Sequence, residues 1–167
     1  MMIEHSRLVE LLDYSPITGI FVRKVSLSNR TPVGSVAGSV NKGYSYINVD
    51  GKRYAAHRLA WFYVHKTWPH GVLDHVNTDG TANAVGNLRL ANKSTNGANR
   101  GLNKNSTSGF KGVSHHRDGF VSRIRVAGRQ LHLGSFTDPV LAAKSYDAAA
   151  IEHFGQFALT NKSLGLV

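Results

Sequence analysis

The chain contains no cysteine. Disulfides and cysteine-ligated zinc are therefore excluded, and the composition fits a reducing compartment such as the cytoplasm. No apolar run approaches the roughly 18 residues that a membrane span needs. Met1-Met2-Ile3-Glu4-His5 shows no basic stretch followed by an apolar one, so no secretory signal is expected. Internal repeats and long low-complexity tracts are missing too. Acidic residues are scarce: Asp plus Glu number 10 against 20 Lys plus Arg, leaving a net charge of +10 over 167 residues with histidine neutral. Such a surplus points to a polyanionic partner, most simply nucleic acid, rather than a membrane or a small-molecule substrate.

Apolar periodicity and turn residues predict the elements. Arg7 to Leu12 is a short amphipathic helix that stops before Tyr14-Ser15-Pro16. Gly19 to Arg23 reads as a strand, and Ser26 to Asn41 as a loop with a short strand near Val36. Tyr44 to Val49 and Lys52 to Ala55, joined by Asp50-Gly51, form a hairpin. His57 to Lys66 is a helix closed by Pro69 and Gly71. Val72 to His75 and Leu88 to Leu90 are short strands around a polar loop, followed by a helix from Lys93 to about Arg100. Asn103 to Gly109 is polar and lacks large apolar residues. The expected division is thus 1–101, a linker at 102–108, and 109–167. In the last part, strands at Phe110–Ser114, Phe120–Val126 and Arg129–Gly134 precede a helix that Asp138 caps and Gly155 ends. Val140, Ala143, Tyr146, Ala150 and Phe154 would pack it on the sheet. The fold class is α+β.

Charge is concentrated in this last part. Between Asn103 and Thr137 lie Lys104, Lys111, Arg117, Arg123, Arg125 and Arg129 against Asp118 alone, six basic less one acidic, or +5 of the total +10. Strand alternation would set the basic residues on the sheet face opposite the helix, and a sheet laid in a groove is one way to read DNA.

The chemistry gathers around Asp74-His75. A phosphodiester is cut when a water loses a proton, developing charge on phosphate and leaving oxygen is stabilised, and the backbone is held. Histidine, with an ordinary pKa near 6.5, suits the first task. A hard divalent cation on oxygen ligands suits the second, and Arg or Lys the third. His75 is the candidate base, and Asp74 with Asn96 the candidate ligands of one cation. Because neighbours on a strand face opposite ways, Asp74 and His75 can share a centre only where the strand ends or twists. Asn87 is assigned to bracing the loop. His57 reads as a packing histidine beside the site, and His65 and His70 as surface or packing residues. Arg58 and Arg89 are open between phosphate contacts and solvated charges. Asn99 reads as part of a helix end.

Two resemblances follow from these residues. Tyr14-Ser15-Pro16-Ile17-Thr18-Gly19, Gly43-Tyr44, Ala56-His57-Arg58-Leu59-Ala60-Trp61, Asp74-His75, Asn77, Asp79, Asn87-Leu88-Arg89 and Asn96 resemble the HNH homing endonucleases of phages and mobile introns, over roughly Leu8 to Asn99. That resemblance implies a ββα-metal fold, with His75 as general base, Asp74 and Asn96 as ligands and Asn87 as the middle asparagine. Asparagine rather than histidine at 96 implies Mg²⁺, or Mn²⁺, instead of zinc. Ser108 to Val113, Leu131 to Phe136 and Ala142 to Ala150, with Asn161, resemble the Apetala-two type DNA-binding domain of plant ethylene-response factors. This one implies major-groove reading through Lys111, Ser114, His116, Phe120, Arg123, Arg125, Arg129 and His132. Phe120 and His132 replace the usual tryptophans and Ser114 the usual arginine, so the plant target sequence does not carry over.

Together these imply a metal-dependent endonuclease for double-stranded DNA, acting as a monomer or weak dimer in the cytoplasm. A DNA-binding regulator that keeps a spent nuclease fold is the rival class, distinguished by damage to Asp74, His75 or Asn96, all of which are intact. An RNase of similar site is the third reading; the narrow RNA major groove weighs against it.

Overall fold

The computed structural model describes residues 2–26 and 31–167. The loop expected from Ser26 to Asn41 falls partly on 27–30, outside the described residues. Four helices and several small sheets are mixed along the described chain, which packs as two compact units, residues 1–90 and 91–167. No helix among the described residues is long and apolar enough to cross a membrane.

In the first unit, α1 (His5–Leu11) leads directly into β1 (Leu12–Tyr14), which pairs antiparallel with β2 (Phe21–Arg23). β1 was not expected from sequence. Three residues give too short a pattern to register as alternation, yet Leu12 and Tyr14 face inward at 1% and 5% exposure. Val22 forms an isolated bridge with Val36, where a short strand was expected. β3 (Ser39–Asn41), β4 (Tyr44–Val49) and β5 (Lys52–Ala55) form a three-stranded antiparallel sheet. Asp50 and Gly51 turn β4 into β5 with φ of 46° and 75°, the pair of positive values a two-residue hairpin needs. α2 (Ala56–His65) stops when Lys66 enters the left-handed region, before Pro69 or Gly71 can act. Its inward face, Ala56, Leu59, Ala60 and Phe62, joins Leu8, Phe21, Ile47 and Leu88 in one core. β6 (Val72–His75) and β7 (Leu88–Ala91) then form a two-stranded sheet around a long loop.

The second unit opens with α3 (Lys93–Ala98). Asn92 accepts from Ser94 N and Thr95 N, and Thr95 Oγ1 accepts from Asn92 N, a reciprocal cap that starts this glycine-containing helix. Ala98 is buried with Ile124, Tyr146, Ala149, Ala150 and Phe154, which is why the packing boundary precedes the polar stretch at 102–108. β8 (Val113–His116), β9 (Gly119–Val126) and β10 (Arg129–Phe136) form an antiparallel sheet in the order β10-β9-β8, with a bulge at Leu133. β8 starts at Val113 instead of Phe110. Gly112, at φ 76°, lies so close to the Tyr146 ring that a Cβ would overlap it, and the chain turns there. α4 (Pro139–Phe154) begins where Asp138 accepts from Val140 N at 2.8 Å and lays Ala142, Ala143, Tyr146, Ala150 and Phe154 inward. Val140 is only half-buried.

Asn161 ties this unit together. Its Oδ1 accepts from Lys111 N at 2.7 Å, and its Nδ2 donates to Lys111 O at 3.1 Å and Asp147 Oδ1 at 2.8 Å. The side chain is 0% exposed, so removing it strands several buried partners, at about 1–3 kcal/mol for each one left unsatisfied. Asn161→Leu should therefore lower the urea midpoint of the second unit far more than Asp138→Ala, whose lost cap costs about 1 kcal/mol. Equal small losses would show that the Asn161 network is not what holds the unit.

Candidate active site

β6 ends at His75, and Leu73, Asp74 and His75 are 7%, 6% and 5% exposed. The backbone leaves strand geometry just beyond, with Thr78 at φ 64°, at the place where the sequence required a break for Asp74 and His75 to serve one centre. Asp74 Oδ2 accepts from Arg89 Nε at 2.9 Å and Arg89 Nη2 at 2.8 Å.

His75 Nε2 lies 3.2 Å from Asn83 Oδ1. The Asn83 amide is already oriented, because its Nδ2 donates to Thr81 O at 3.0 Å. The oxygen therefore faces the imidazole, and an oxygen can only accept, so in neutral His75 the proton sits on Nε2 and the lone pair on Nδ1. Asn83 is 3% exposed and was missed by the sequence reading. The signal was an asparagine in a polar loop, and the chain offers many of those.

The support beneath Asn83 comes from the N-terminal turn. Tyr14 Oη donates to Asn83 O at 2.8 Å, and burial pushes its phenol up to about 12, so it stays a donor. Val85 N donates to Pro16 O at 3.2 Å. Gly19, at φ +74°, runs so close to Asn83 and Ala84 that a Cβ would sit 2.9 Å from Asn83 Cα. The Tyr14–Gly19 motif is thus a buttress for the histidine's hydrogen-bond partner.

Asn87 clasps the loop from the other side. Its Nδ2 donates to Asn77 Oδ1 at 2.9 Å and Ala82 O at 2.7 Å, and its Oδ1 accepts from Asn77 N at 3.1 Å. Asp79 accepts from Thr81 N and Oγ1, and these bonds hold its carboxyl below the usual range. Gly80 packs on Tyr44, where a Cβ would meet Cδ1 at 2.6 Å.

His57, from the start of α2, puts its ring 5.2 Å from that of His75 at 77°, and Tyr44 lies 6.1 Å and 6.0 Å from the two. Burial, then the neighbouring His75 and Arg58 charges, push the His57 imidazole down to about 4. Its Nδ1 is buried without a hydrogen-bond partner. Arg58 faces elsewhere: Nη1 donates to Gly71 O at 3.3 Å and Nη2 to Pro69 O at 3.2 Å, fastening α2 to the approach of β6.

A hard cation needs oxygen donors, and Asp74 is a buried carboxylate next to His75 in the chain. No group of three or more His, Cys, Asp or Glu that could hold a metal occurs among the described residues. Asn96, half-buried on α3, belongs by packing to the second unit. Asn99, at 6% exposure, caps the same helix.

In the second unit, pairing registers set Ser114 opposite Val121, His116 opposite Gly119, and His132 opposite Arg123. Alternation along β9 then gives Ser114, His116, Arg123, Arg125 and His132 one shared sheet face. Phe120, on the opposite parity, packs against Val113, Ala142 and Ala143. Arg129 pairs with Val126, so its parity is that of the helix-covered face, although it is exposed at the strand's start. Lys111 turns inward: Nζ donates to Ala98 O at 2.5 Å and Leu159 O at 2.7 Å, and burial pushes the amine down to about 8.

The low value at His57 has a signed consequence. The fold favours the neutral ring, so stability falls as pH drops from 6.5, where the unfolded ring begins to charge, toward about 4. His57→Gln should lose less stability than the parent between pH 7 and pH 5 in urea titrations. Identical losses would mean that His57 charges freely in the fold.

Compared with known proteins, residues 54–98 match a family model described as HNH endonuclease. No curated protein matches the chain. The matched stretch runs from the end of β5 through α2, β6, the loop and β7 to the end of α3, and it contains His57, Asp74, His75, Asn87 and Asn96.

Proposed function

We propose that the chain is a metal-dependent DNA endonuclease of the phage homing type, built on a ββα-metal unit with a C-terminal recognition sheet. One observation carries the reading: within the HNH-matching stretch, His75 is held by Asn83 in the tautomer that leaves Nδ1 as base, next to the buried Asp74 carboxylate. His75 Nδ1 takes the proton of the attacking water. Asp74 would be an oxygen ligand of one divalent cation, Mg²⁺ or Mn²⁺, which when bound would stabilise charge on the scissile phosphate and its leaving oxygen; Asn96 is offered as the second ligand from the sequence motif alone. Asn87 keeps the loop, and with it Asn83, in place. His57, neutral and packed on the His75 ring, limits where that imidazole can move. The products would carry 5′-phosphate and 3′-hydroxyl ends. One such centre in each chain gives a nick from a monomer and a double-strand cut from a dimer.

Ser114, His116, Arg123, Arg125 and His132 would meet duplex DNA from the sheet face, with Arg129 at its edge. The groove-reading role rests on their common face and on the local excess of positive charge.

A supercoiled plasmid incubated with Mg²⁺, with and without EDTA, tests the reading. Relaxation should require the metal, and His75→Ala should abolish it while DNA binding persists. Cleavage undiminished in His75→Ala would remove the base assignment. Arg125→Ala should weaken binding and lower the salt slope by about one; an unaltered slope would take Arg125 off the phosphate backbone.

A further inference from the structure

α4 packs on its sheet through Ala142, Ala143, Tyr146, Ala150 and Phe154. Its other side carries Leu141, Lys144, Ala148, Ile151 and Glu152, all exposed and spaced three, four or seven apart, so they share one helical face. Leu141 and Ile151, at 52% and 59%, are the most exposed large apolar side chains of the second unit. Lys144 and Glu152 form no ion pair among the described residues. At the end of the helix Gly155 is open, and a Cβ there would meet nothing within 4 Å.

The charges identify what covers this face. One cation and one anion cancel, so the face does not draw the polyanion that the net charge of +10 favours elsewhere. A second copy of the chain matches it. Antiparallel pairing about a two-fold axis at Ala148 sets Lys144 opposite Glu152 of the partner subunit and Glu152 opposite Lys144 of the partner subunit. The same axis sends Leu141 into the open space at Gly155 of the partner subunit, and the small Ala148 side chain at the centre lets the helices approach. We propose that the outer face of α4 is a self-complementary dimer interface. One helix face is smaller than the roughly 800 Å² that each partner gives a standard interface, so the dimer is weak and depends on concentration. The sheet lies on the far side of α4 and turns Arg123 and Arg125 away from it, so pairing through α4 points the two sheets in opposite directions. Resting on the groove-reading role proposed for that sheet, the dimer bridges two segments of DNA.

The test is sedimentation velocity of the full chain over a range of concentrations, with circular dichroism confirming the fold of each variant. The parent should pass from monomer to dimer as concentration rises; a monomer throughout overturns the interface. Lys144→Glu or Glu152→Lys alone removes both symmetry-related pairs and opposes like charges, so each should weaken the dimer about tenfold, and the double reversal should restore it. Single reversals without effect, or a double reversal that rescues nothing, put the contact elsewhere and overturn the interface too. Bridging is read by capture of a labelled duplex on a bead-bound one. The parent and the double reversal should capture it and Glu152→Lys should not, while all three bind a single duplex alike. A dimer that binds one duplex and captures no second overturns the bridging. Dimerisation without any duplex binding refutes the groove-reading role and upholds the interface.

Discussion

The orientation of a single side-chain amide governs the site. Asn83 cannot flip without losing its bond to Thr81 O, so its oxygen stays toward His75 and the imidazole proton stays on Nε2. A ring free to choose its tautomer would carry an N–H at Nδ1 about as readily as a lone pair. The choice is made far away in sequence. Tyr14, Pro16 and Gly19 hold the Asn83 segment by a hydroxyl, a carbonyl and a close backbone approach. With no disulfide to cross-link loops, the chain uses buried amides and hydroxyls, and such networks serve only when every member is satisfied.

Much of the fold was legible where the physics is local. The Asp50-Gly51 hairpin, the Asp138 cap, the glycine that ends α4 and the helical spacing of α2 all depend on neighbours in sequence. The elements missed or shifted depend on distant partners. β1 exists because Leu12 and Tyr14 find Arg23 and Phe21, and β8 begins late because the Tyr146 ring crowds Gly112. The site divides the same way. Asp74-His75 stood out because it sets a carboxylate beside a histidine with Asn87 and Asn96 following, whereas Asn83 was one polar loop residue among several. Its importance lies in a bond to His75 and a buttress from Tyr14, neither of which leaves a pattern.

Net charge is a poor guide to which cations are free to make contacts. Arg58 and Arg89 were open between phosphate contacts and solvated charges, and Lys111 was offered as a DNA contact by the resemblance. Each gives its donors to the protein: Arg58 to two carbonyls before β6, Arg89 to Asp74, Lys111 to Ala98 O and Leu159 O. Arg125 and His132 are exposed, and Arg123 has only a 3.5 Å contact from Nη1 to Ser114 Oγ. Cations surrounded by uncompensated carbonyls or carboxylates are drawn inward, because burying those acceptors unpaired is expensive. Arg123 and Arg125 stay on the open sheet face.

The sheet of β6 and β7 shows how little freedom this leaves. Leu88 and Arg89 have different duties, which the two-residue period of β7 assigns, while Asn87 closes the turn just before the strand. A slip of one residue would turn Leu88 toward the loop and drive Arg89 at the core, so both duties would fail together. Pairing two short strands contributes little stability by itself. Their register is instead pinned by what they carry: Leu88 in the apolar cluster, Arg89 on Asp74, and Val76 N donating to Asn87 O at 2.9 Å where the loop departs. The same contacts that set the register also shape the site, so a substitution that loosens one cannot leave the other untouched.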